Sequence, residues 1–178
     1  MTKHGRIMDH ILPDELVALA RRVVEANRAA GRTIALAESC TGGLVSAALT
    51  EIPGSSDVFG SGYVTYSNEA KIGMLGVSLD VLDTFGAVSI AVAWAMARGA
   101  QERSGADVAV AITGIAGPDG GSEKKPVGTV VFARAEKDGD SEDVVADKRE
   151  FGNLGRAGVR LQAALVALEL LMPGSSPP

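Results

Sequence analysis

Hydrophobic residues recur along the chain at two different spacings. Over residues 14–30 and 155–172 they return every three to four positions, which predicts an amphipathic helix near each end. Short apolar runs at 33–38, 60–65 and 107–113 predict strands, and the third run is apolar throughout, as in a strand covered on both faces. Shorter helices are predicted between these runs, at 44–51, 68–75, 78–85 and 89–102.

The order of these elements predicts the fold class. Helices and strands alternate in the first part of the chain. A predicted hairpin turn at Asp138-Gly139 then joins two antiparallel strands, at 127–135 and 143–151. This order is typical of an α/β protein, and we expect a three-layer α/β/α sandwich with a mixed sheet.

Composition narrows the classes of function. The chain has 178 residues, of which 46% are apolar and 22% charged, as in one globular domain. We expect that domain at 13–172, between a flexible N-terminal arm at 1–12 and a disordered tail at 173–178. A net charge of -5 without a basic stripe argues against nucleic-acid binding, and no apolar run is long enough to span a membrane. Because Cys40 is the single cysteine, no intrachain disulfide can form, and a reducing, cytoplasmic location is expected.

Histidine is almost absent, and this limits the chemistry. His4 and His10 both precede the predicted fold. A Ser-His-Asp triad, a Cys-His pair and a histidine-rich zinc site are therefore improbable. If the chain is a hydrolase, its general base must be a lysine, a carboxylate or a tyrosine.

A glycine-rich turn follows the first predicted strand, with the sequence Glu38-Ser39-Cys40-Thr41-Gly42-Gly43. The turn leads into a helix, so its amides could bind a phosphate or stabilise an oxyanion. Ser39 would lie at the carboxyl edge of the sheet, where ligands bind in open α/β sheets. A helix cap with a tight turn explains the same residues equally well. Cys40 is a weak candidate for a nucleophile, because no histidine is available to activate it.

Polar groups are crowded around the end of the next predicted strand, in YVTYSNEAK at 63–71. Asn68 and Lys71 are three residues apart and would share one face of the following helix. A lysine kept neutral by burial can act as the base for a serine nucleophile. The alternative is an exposed helix with an ordinary surface lysine.

Two further segments are suited to anions. A second glycine-rich loop, at 113–121, follows the apolar strand and could hold an anion with its backbone amides, or could be a plain surface loop. Arg156 and Arg160 are one turn apart at the start of the last helix, where two guanidinium groups could bind a phosphate. Solvated surface charge explains these two arginines slightly better.

Several segments, taken together and in order, resemble the C-terminal domain family of the competence/damage-inducible protein CinA, which includes stand-alone nicotinamide mononucleotide amidases. The longest are AESCTGG (37–43), IPGSS (52–56), YVTYSNEAK (63–71), AITGIAGPDGG (111–121) and KPVGTV (125–130). The resemblance implies hydrolysis of the carboxamide of nicotinamide mononucleotide to nicotinic acid mononucleotide and ammonia. It implies neither a metal nor a cofactor.

The resemblance also implies roles for individual residues. Ser39 would be the nucleophile, Lys71 its general base, and Tyr66 would help in proton transfer or orient the lysine. The amides near Cys40 and Thr41 would stabilise the oxyanion. The predicted substrate-binding residues are Cys40, Thr41, Gly42, Gly43, Asn68, Thr113, Gly114 and Arg156.

Two departures from the family pattern keep other functions open. The family commonly reads GAVSE where this chain has GAVSI, so Ile90 replaces a carboxylate, and the family's Gly-Asp-Arg step is altered at 152–156. A non-catalytic nucleotide-binding or protein-interaction module, or an amidase for another small amide, would keep the same pocket. Small residues in the helix at 89–102 are suited to close packing against a sheet or another subunit, and we expect a homo-oligomer.

Overall fold

The computed structural model describes residues 9–140 and 144–175, and within them a five-stranded mixed sheet forms the centre of the protein. The strands are β1 (Ile34–Glu38), β2 (Phe59–Val64), β3 (Val108–Gly114), β4 (Thr129–Glu136) and β5 (Val145–Glu150), in the order β2-β1-β3-β4-β5. β1 is parallel to β2 and β3, whereas β4 is antiparallel to β3 and β5. The predicted mixed sheet is confirmed, and the structure adds the strand order.

Helices cover both faces of this sheet. On one face, α1 (Asp14–Ala29), α2 (Leu44–Thr50) and α6 (Gly155–Leu170) contact one another. On the other face lie α3 (Asn68–Leu75), α4 (Leu79–Phe85) and α5 (Ile90–Ser104). The predicted helices and strands are all present with ends within two residues of those expected, and the three-layer α/β/α class is confirmed.

The two faces of the sheet differ in the size of their side chains. Alternate residues of a strand point to opposite faces. The face towards α1, α2 and α6 carries large residues: Ile34, Leu36, Val108, Val110, Ile112, Val130 and Phe132. The face towards α5 consists mostly of alanine: Ala35, Ala37, Ala109, Ala111, Ala133 and Ala135.

Helix α5 packs closely on the alanine face because it is built from small residues itself. Ala93, Ala97 and Ala100 are fully buried in the cluster that this face forms. A Cβ on Gly99 would overlap the carbonyl oxygen of Leu75 at the end of α3. The small residues of this helix are therefore explained by packing on the sheet and on α3, the first of the two expected explanations.

The ends of the chain lie partly outside the described residues. Of the expected arm at 1–12, residues 9–12 are described and belong to no helix or strand. In the expected tail at 173–178, Ser175 accepts a hydrogen bond from the side chain of Arg134 in β4. Residues 1–8, 141–143 and 176–178 are outside the description, so the flexibility of both ends stays a prediction. In the part of the chain that is described, no helix is long and apolar enough to cross a bilayer.

Candidate active site

A cavity of about 300 Å³ lies where β1 and β3 end. Ligands bind at this carboxyl edge of the strands in open α/β sheets. The predicted site residues that line the cavity are Ser39, Cys40, Tyr66, Asn68, Lys71, Thr113, Gly114 and Arg156. Thr41, Gly42 and Gly43, which the sequence also predicts to bind substrate, do not line it.

Ser39 begins the turn that follows β1. Its amide donates to the carbonyl of Ile112 in β3 at 2.9 Å, and its carbonyl accepts from the amide of Gly42 at 3.0 Å. Gly42 and Gly43 have φ values of 60° and 91°, in the left-handed region that glycine adopts without strain. The two glycines therefore let the chain reverse from β1 into α2 while Ser39 stays in the cavity wall.

A buried carboxylate holds the far end of this turn. Glu38 is fully buried, and its Oε2 accepts from the amides of Gly43 at 3.0 Å and Val45 at 3.2 Å. Its Oε1 accepts from the amide of Ser46 at 2.8 Å and from the hydroxyl of the same residue at 2.7 Å. A carboxylate at this position satisfies the free amides of the helix and interacts favourably with its dipole. The amides of Gly43, Val45 and Ser46 are thus bonded to the protein's own carboxylate, which agrees with the helix-cap interpretation of this turn.

Lys71 reaches Ser39 from helix α3. Its Nζ lies 3.3 Å from Ser39 Oγ and donates to the carbonyl of Thr65 at 2.9 Å. The lysine is 1% exposed, and this burial lowers the pKa of its ammonium group below the usual value. Ser67 fixes the start of α3, because its hydroxyl accepts from the amide of Ala70 at 3.1 Å. The interpretation of Lys71 as an ordinary surface lysine is therefore wrong.

The thiol of Cys40 is poorly suited to nucleophilic attack. The residue is 5% exposed, and desolvation by burial raises the pKa of the thiol to about 11. Little thiolate is then present near neutral pH. The backbone of this residue has a clearer function: the carbonyls of Cys40 and Thr41 accept from Arg160, at 3.2 Å from Nε and at 2.9 Å from Nη2.

Arg156 joins two walls of the cavity. Its Nη1 donates to the carbonyl of Gly117 in the second glycine-rich loop at 2.8 Å, and its Nη2 donates to the hydroxyl of Tyr66 at 2.8 Å. The altered stretch at 152–156 therefore still brings this arginine to the cavity. Lys71 Nζ donates to the carbonyl of Thr65, and the role of Tyr66, in proton transfer or in orienting the lysine, stays a prediction.

Thr113 and the loop after β3 form a further wall. The hydroxyl of Thr113 donates to the carbonyl of Ala87 at 2.8 Å, which ties β3 to the segment before α5. A Cβ on Gly114 would lie 2.8 Å from Val130 Cγ2, so β4 leaves no room for a side chain there. Asp119 also lines the cavity, and the sequence did not single it out.

Among the described residues, no group of three or more His, Cys, Asp or Glu side chains could hold a metal ion.

Ile90, the clearer departure from the family pattern, lies outside the cavity. It is 47% exposed and lines a separate groove of about 730 Å³ together with Phe85, Trp94 and Val144. Val88 lines both spaces, so the segment before α5 separates them. The replacement of a carboxylate at this position therefore changes the groove and leaves the lining of the Ser39 cavity unchanged.

The fold and the site define a class of protein: a single α/β domain in which a buried lysine is hydrogen-bonded to a serine at the carboxyl edge of parallel strands. The model of the family described as CinA C-terminal domain matches residues 16–173. This chain belongs to the CinA C-terminal domain family.

Relatives within the family include named amidohydrolases and CinA-like proteins. Nicotinamide-nucleotide amidohydrolase PncC of Escherichia coli (strain K12) is 50% identical over 157 residues, which cover 88% of this chain and 93% of that protein. A CinA-like protein of Geobacter sulfurreducens is 48% identical over 166 residues, which cover 93% of this chain and 39% of that longer protein. The crystal structure of the competence/damage inducible protein CihA from Agrobacterium tumefaciens superposes with a TM-score of 0.86 at 48% identity, over 90% of this chain and 96% of that one.

Proposed function

We propose that this chain hydrolyses the carboxamide of nicotinamide mononucleotide to nicotinic acid mononucleotide and ammonia. The observation that carries the proposal is the pair of Lys71 and Ser39, 3.3 Å apart and buried in the wall of a cavity. The name of the Escherichia coli relative, which aligns over nearly its whole length, supports the choice of substrate. An amide is a poor electrophile, so its hydrolysis needs an activated nucleophile and a charge-stabilising pocket.

The two residues divide the chemistry between them. Neutral Lys71 accepts the proton of Ser39 as Oγ bonds to the carboxamide carbon, and the resulting ammonium then donates that proton to the departing nitrogen, which leaves as ammonia. Water, deprotonated by the same lysine, attacks the ester on Ser39; the acid product departs and the serine recovers its proton. The lowered pKa of Lys71 favours the neutral form that both attacks require.

We assign the oxyanion to the amides of Cys40 and Thr41. The later amides of the turn are engaged: that of Gly42 donates to the carbonyl of Ser39, and that of Gly43 donates to Glu38. The first two amides after the nucleophile, those of Cys40 and Thr41, hydrogen-bond the Cys40 thiol, and these bonds act to lower its pKa. An oxyanion would replace the sulfur as their acceptor. Cys40 lines the cavity, and backbone donors at this position stabilise tetrahedral intermediates in other hydrolases.

We assign the phosphate of the nucleotide to Arg156. Its guanidinium bonds two neutral acceptors, the carbonyl of Gly117 and the hydroxyl of Tyr66. A phosphate is a stronger acceptor for the same two nitrogens, because charge-assisted bidentate bonds exceed neutral ones in strength. Asn68, Thr113 and Gly114 would then line the space between this phosphate and Ser39.

The test is ammonia release from nicotinamide mononucleotide by the parent protein and by Ser39→Ala and Lys71→Ala. We expect release by the parent and a loss of about 10³-fold or more in both variants. Calorimetry on Ser39→Ala should still detect binding of the nucleotide. Binding without release by the parent would instead indicate a binding module, and faster release from free nicotinamide or another small amide would identify an amidase with a different substrate.

We also propose that the protein is a cytoplasmic homo-oligomer. Its single cysteine is consistent with a reducing compartment. The groove at Ile90 exposes apolar side chains, and its edge carries Lys124, Lys125 and Lys148, whereas neighbouring α4 carries the exposed Asp80 and Asp83. A two-fold contact through this surface would cover the apolar residues and pair opposite charges. Light scattering after size-exclusion chromatography tests the assembly, and a monomer at micromolar concentration would contradict it.

A further inference from the structure

We propose that Arg160 is a positioning residue for the chemical step: it orients the peptide units that follow the nucleophile. The inference rests on the proposed amidase function but concerns a residue outside the cavity. Arg160 does not line the space that holds the substrate, and its guanidinium contacts the back of the Ser39 turn.

The contact is a fork that only an arginine can make. Nε donates to the carbonyl of Cys40 at 3.2 Å, and Nη2 donates to the carbonyl of Thr41 at 2.9 Å. A planar guanidinium presents these two donors in a fixed geometry, whereas a lysine has one point charge on a flexible stem. A Cβ on Gly42 would lie 3.6 Å from Nη2, so the guanidinium packs directly against the turn.

The geometry of the peptide unit explains how the contact of Arg160 with these carbonyls affects the oxyanion site. In a trans peptide the carbonyl and the N–H point in opposite directions. The carbonyl of Cys40 and the N–H of Thr41 belong to one unit, so drawing that carbonyl towards α6 turns the Thr41 amide away from α6. The next unit is held at both ends, because the carbonyl of Thr41 bonds Arg160 and the amide of Gly42 bonds the carbonyl of Ser39.

The turn is therefore fixed from two directions. Glu38 accepts hydrogen bonds from the amide of Gly43, at the end of the turn, and from the amide of Ser46 in α2. Arg160 donates to the two carbonyls inside the turn, those of Cys40 and Thr41. Since preorganised donors act on the transition state only when they are already aimed at the developing charge, the loss of this support should slow the reaction while the nucleotide still binds.

Arg156 provides the matched comparison. It lies one turn earlier in the same helix and carries the same charge, but its partners are Tyr66 and Gly117 at the cavity. A general electrostatic effect would be lost with either arginine. A positioning effect is lost only with Arg160, and its loss lowers kcat. The loss of the proposed phosphate contact at Arg156 instead raises mainly KM.

The experiment compares Arg160→Lys, Arg160→Gln and Arg156→Gln with the parent, using ammonia release for kcat and KM, calorimetry for binding and thermal unfolding for stability. For both Arg160 variants we expect kcat to fall by about 10²-fold, as for the loss of one oxyanion donor, with nucleotide affinity within about threefold. Chemical rescue of two further variants, Arg160→Ala and Arg156→Ala, provides a second check. Guanidinium ions added to the solution should replace the missing side chain, which should raise kcat in Arg160→Ala and lower KM in Arg156→Ala. The proposal would be overturned if Arg160→Lys kept the kcat of the parent. It would also be overturned if the fall in kcat could be explained entirely by the fraction of the variant protein that is unfolded.

A second readout separates this inference from the choice of substrate. The rate at which a fluorophosphonate labels Ser39, followed by intact mass, depends on the nucleophile and its oxyanion site and not on recognition of a nucleotide. If the parent is labelled but releases no ammonia from nicotinamide mononucleotide, the proposed function fails. Slower labelling of folded Arg160→Gln would still support the positioning role, and equal labelling rates would overturn it.

Discussion

The cavity at Ser39 and the groove at Ile90 share Val88 as a wall but differ in what they bury and expose. In and behind the cavity wall, the ionisable groups of Lys71 and Glu38 are buried and hydrogen-bonded. In the groove, large apolar side chains are open to solvent, with Phe85 52% and Ile90 47% exposed. Burying ionisable groups has a free-energy penalty, and such burial in a cavity wall is typical of functional sites. A cluster of exposed apolar residues is the mark of a contact surface.

The largest expected effect on activity is that of replacing Lys71, in the wall of the cavity. Lys71→Met keeps the length of the side chain and removes the amine, so kcat/KM for ammonia release should fall by about 10³-fold or more. The free energy of unfolding should change by only about 1 kcal/mol, because the removed desolvation penalty offsets the lost hydrogen bond to Thr65. Activity assays and urea unfolding measure the two quantities. A variant that loses activity only because it unfolds would contradict the assignment.

A smaller effect is expected at Glu38, which supports the cavity without lining it. Glu38→Gln places an amide NH₂ where the carboxylate accepted bonds from α2, and we expect a loss of about 1–3 kcal/mol in unfolding free energy together with a lower kcat. Urea unfolding checks the first expectation. Ser46→Ala is the control, since it removes only the bond from the hydroxyl and should lose about 1 kcal/mol. Equal stability of Glu38→Gln and the parent would show that the carboxylate is dispensable.

The pH dependence sharpens the assignment of the base. Because burial lowers the pKa of Lys71, the ascending limb of kcat/KM should lie below the value of about 10.4 for a free lysine. The same limb should persist in Cys40→Ala, since the thiol titrates higher, at about 11. A limb that disappears with the cysteine would assign the titration to the thiol instead.

The stability of the fold should follow the same titration. Between the lowered pKa of folded Lys71 and the unfolded value of about 10.4, the unfolded chain binds more protons, so stability rises with pH across that window. Unfolding free energies measured over this range should show the rise in the parent and a weaker one in Lys71→Met. Equal slopes in the two proteins would mean that the lysine has the same pKa in both states.

The smallest effect on catalysis is expected in the groove. Ile90→Glu introduces a carboxylate at an exposed position outside the cavity, so kcat/KM should stay within about twofold of the parent. Light scattering should show a smaller assembly, because the charge interrupts the apolar surface. Ile90→Gln, of similar size and uncharged, separates charge from shape. A large loss of activity in a folded Ile90→Glu protein would connect the two regions.

The sequence predicted the elements well because their signals are local. Residues 33–38 and 107–113 are recognisable as strands from their own apolar runs. The pairing of Ser39 with Lys71 could be predicted because both lie in segments that resemble the family, one directly after β1 and the other in the helix that follows β2. The burial of Lys71 removes the surface alternative that the sequence left open.

Other features depended on contacts that no local pattern encodes. The bonds from Arg160 to the Ser39 turn join residues about 120 positions apart. The sequence therefore shows two arginines one turn apart but does not indicate which groups each of them bonds. Glu38 is a different case. Strand periodicity places it on the same face as Ile34 and Leu36, towards α2, and this signal would have indicated a carboxylate directed at the helix amides.

The alanine face of the sheet sets a limit on how the protein can be engineered. α5 rests on that layer, and Gly99 brings it against the carbonyl of Leu75, four residues after Lys71 in α3. Because α3 packs against α5, we expect the thickness of this layer to influence the distance between Lys71 and Ser39. Under α1 and α6 the core already consists of large side chains, whereas under α5 we expect an added methyl group to displace the proposed base, Lys71, from Ser39.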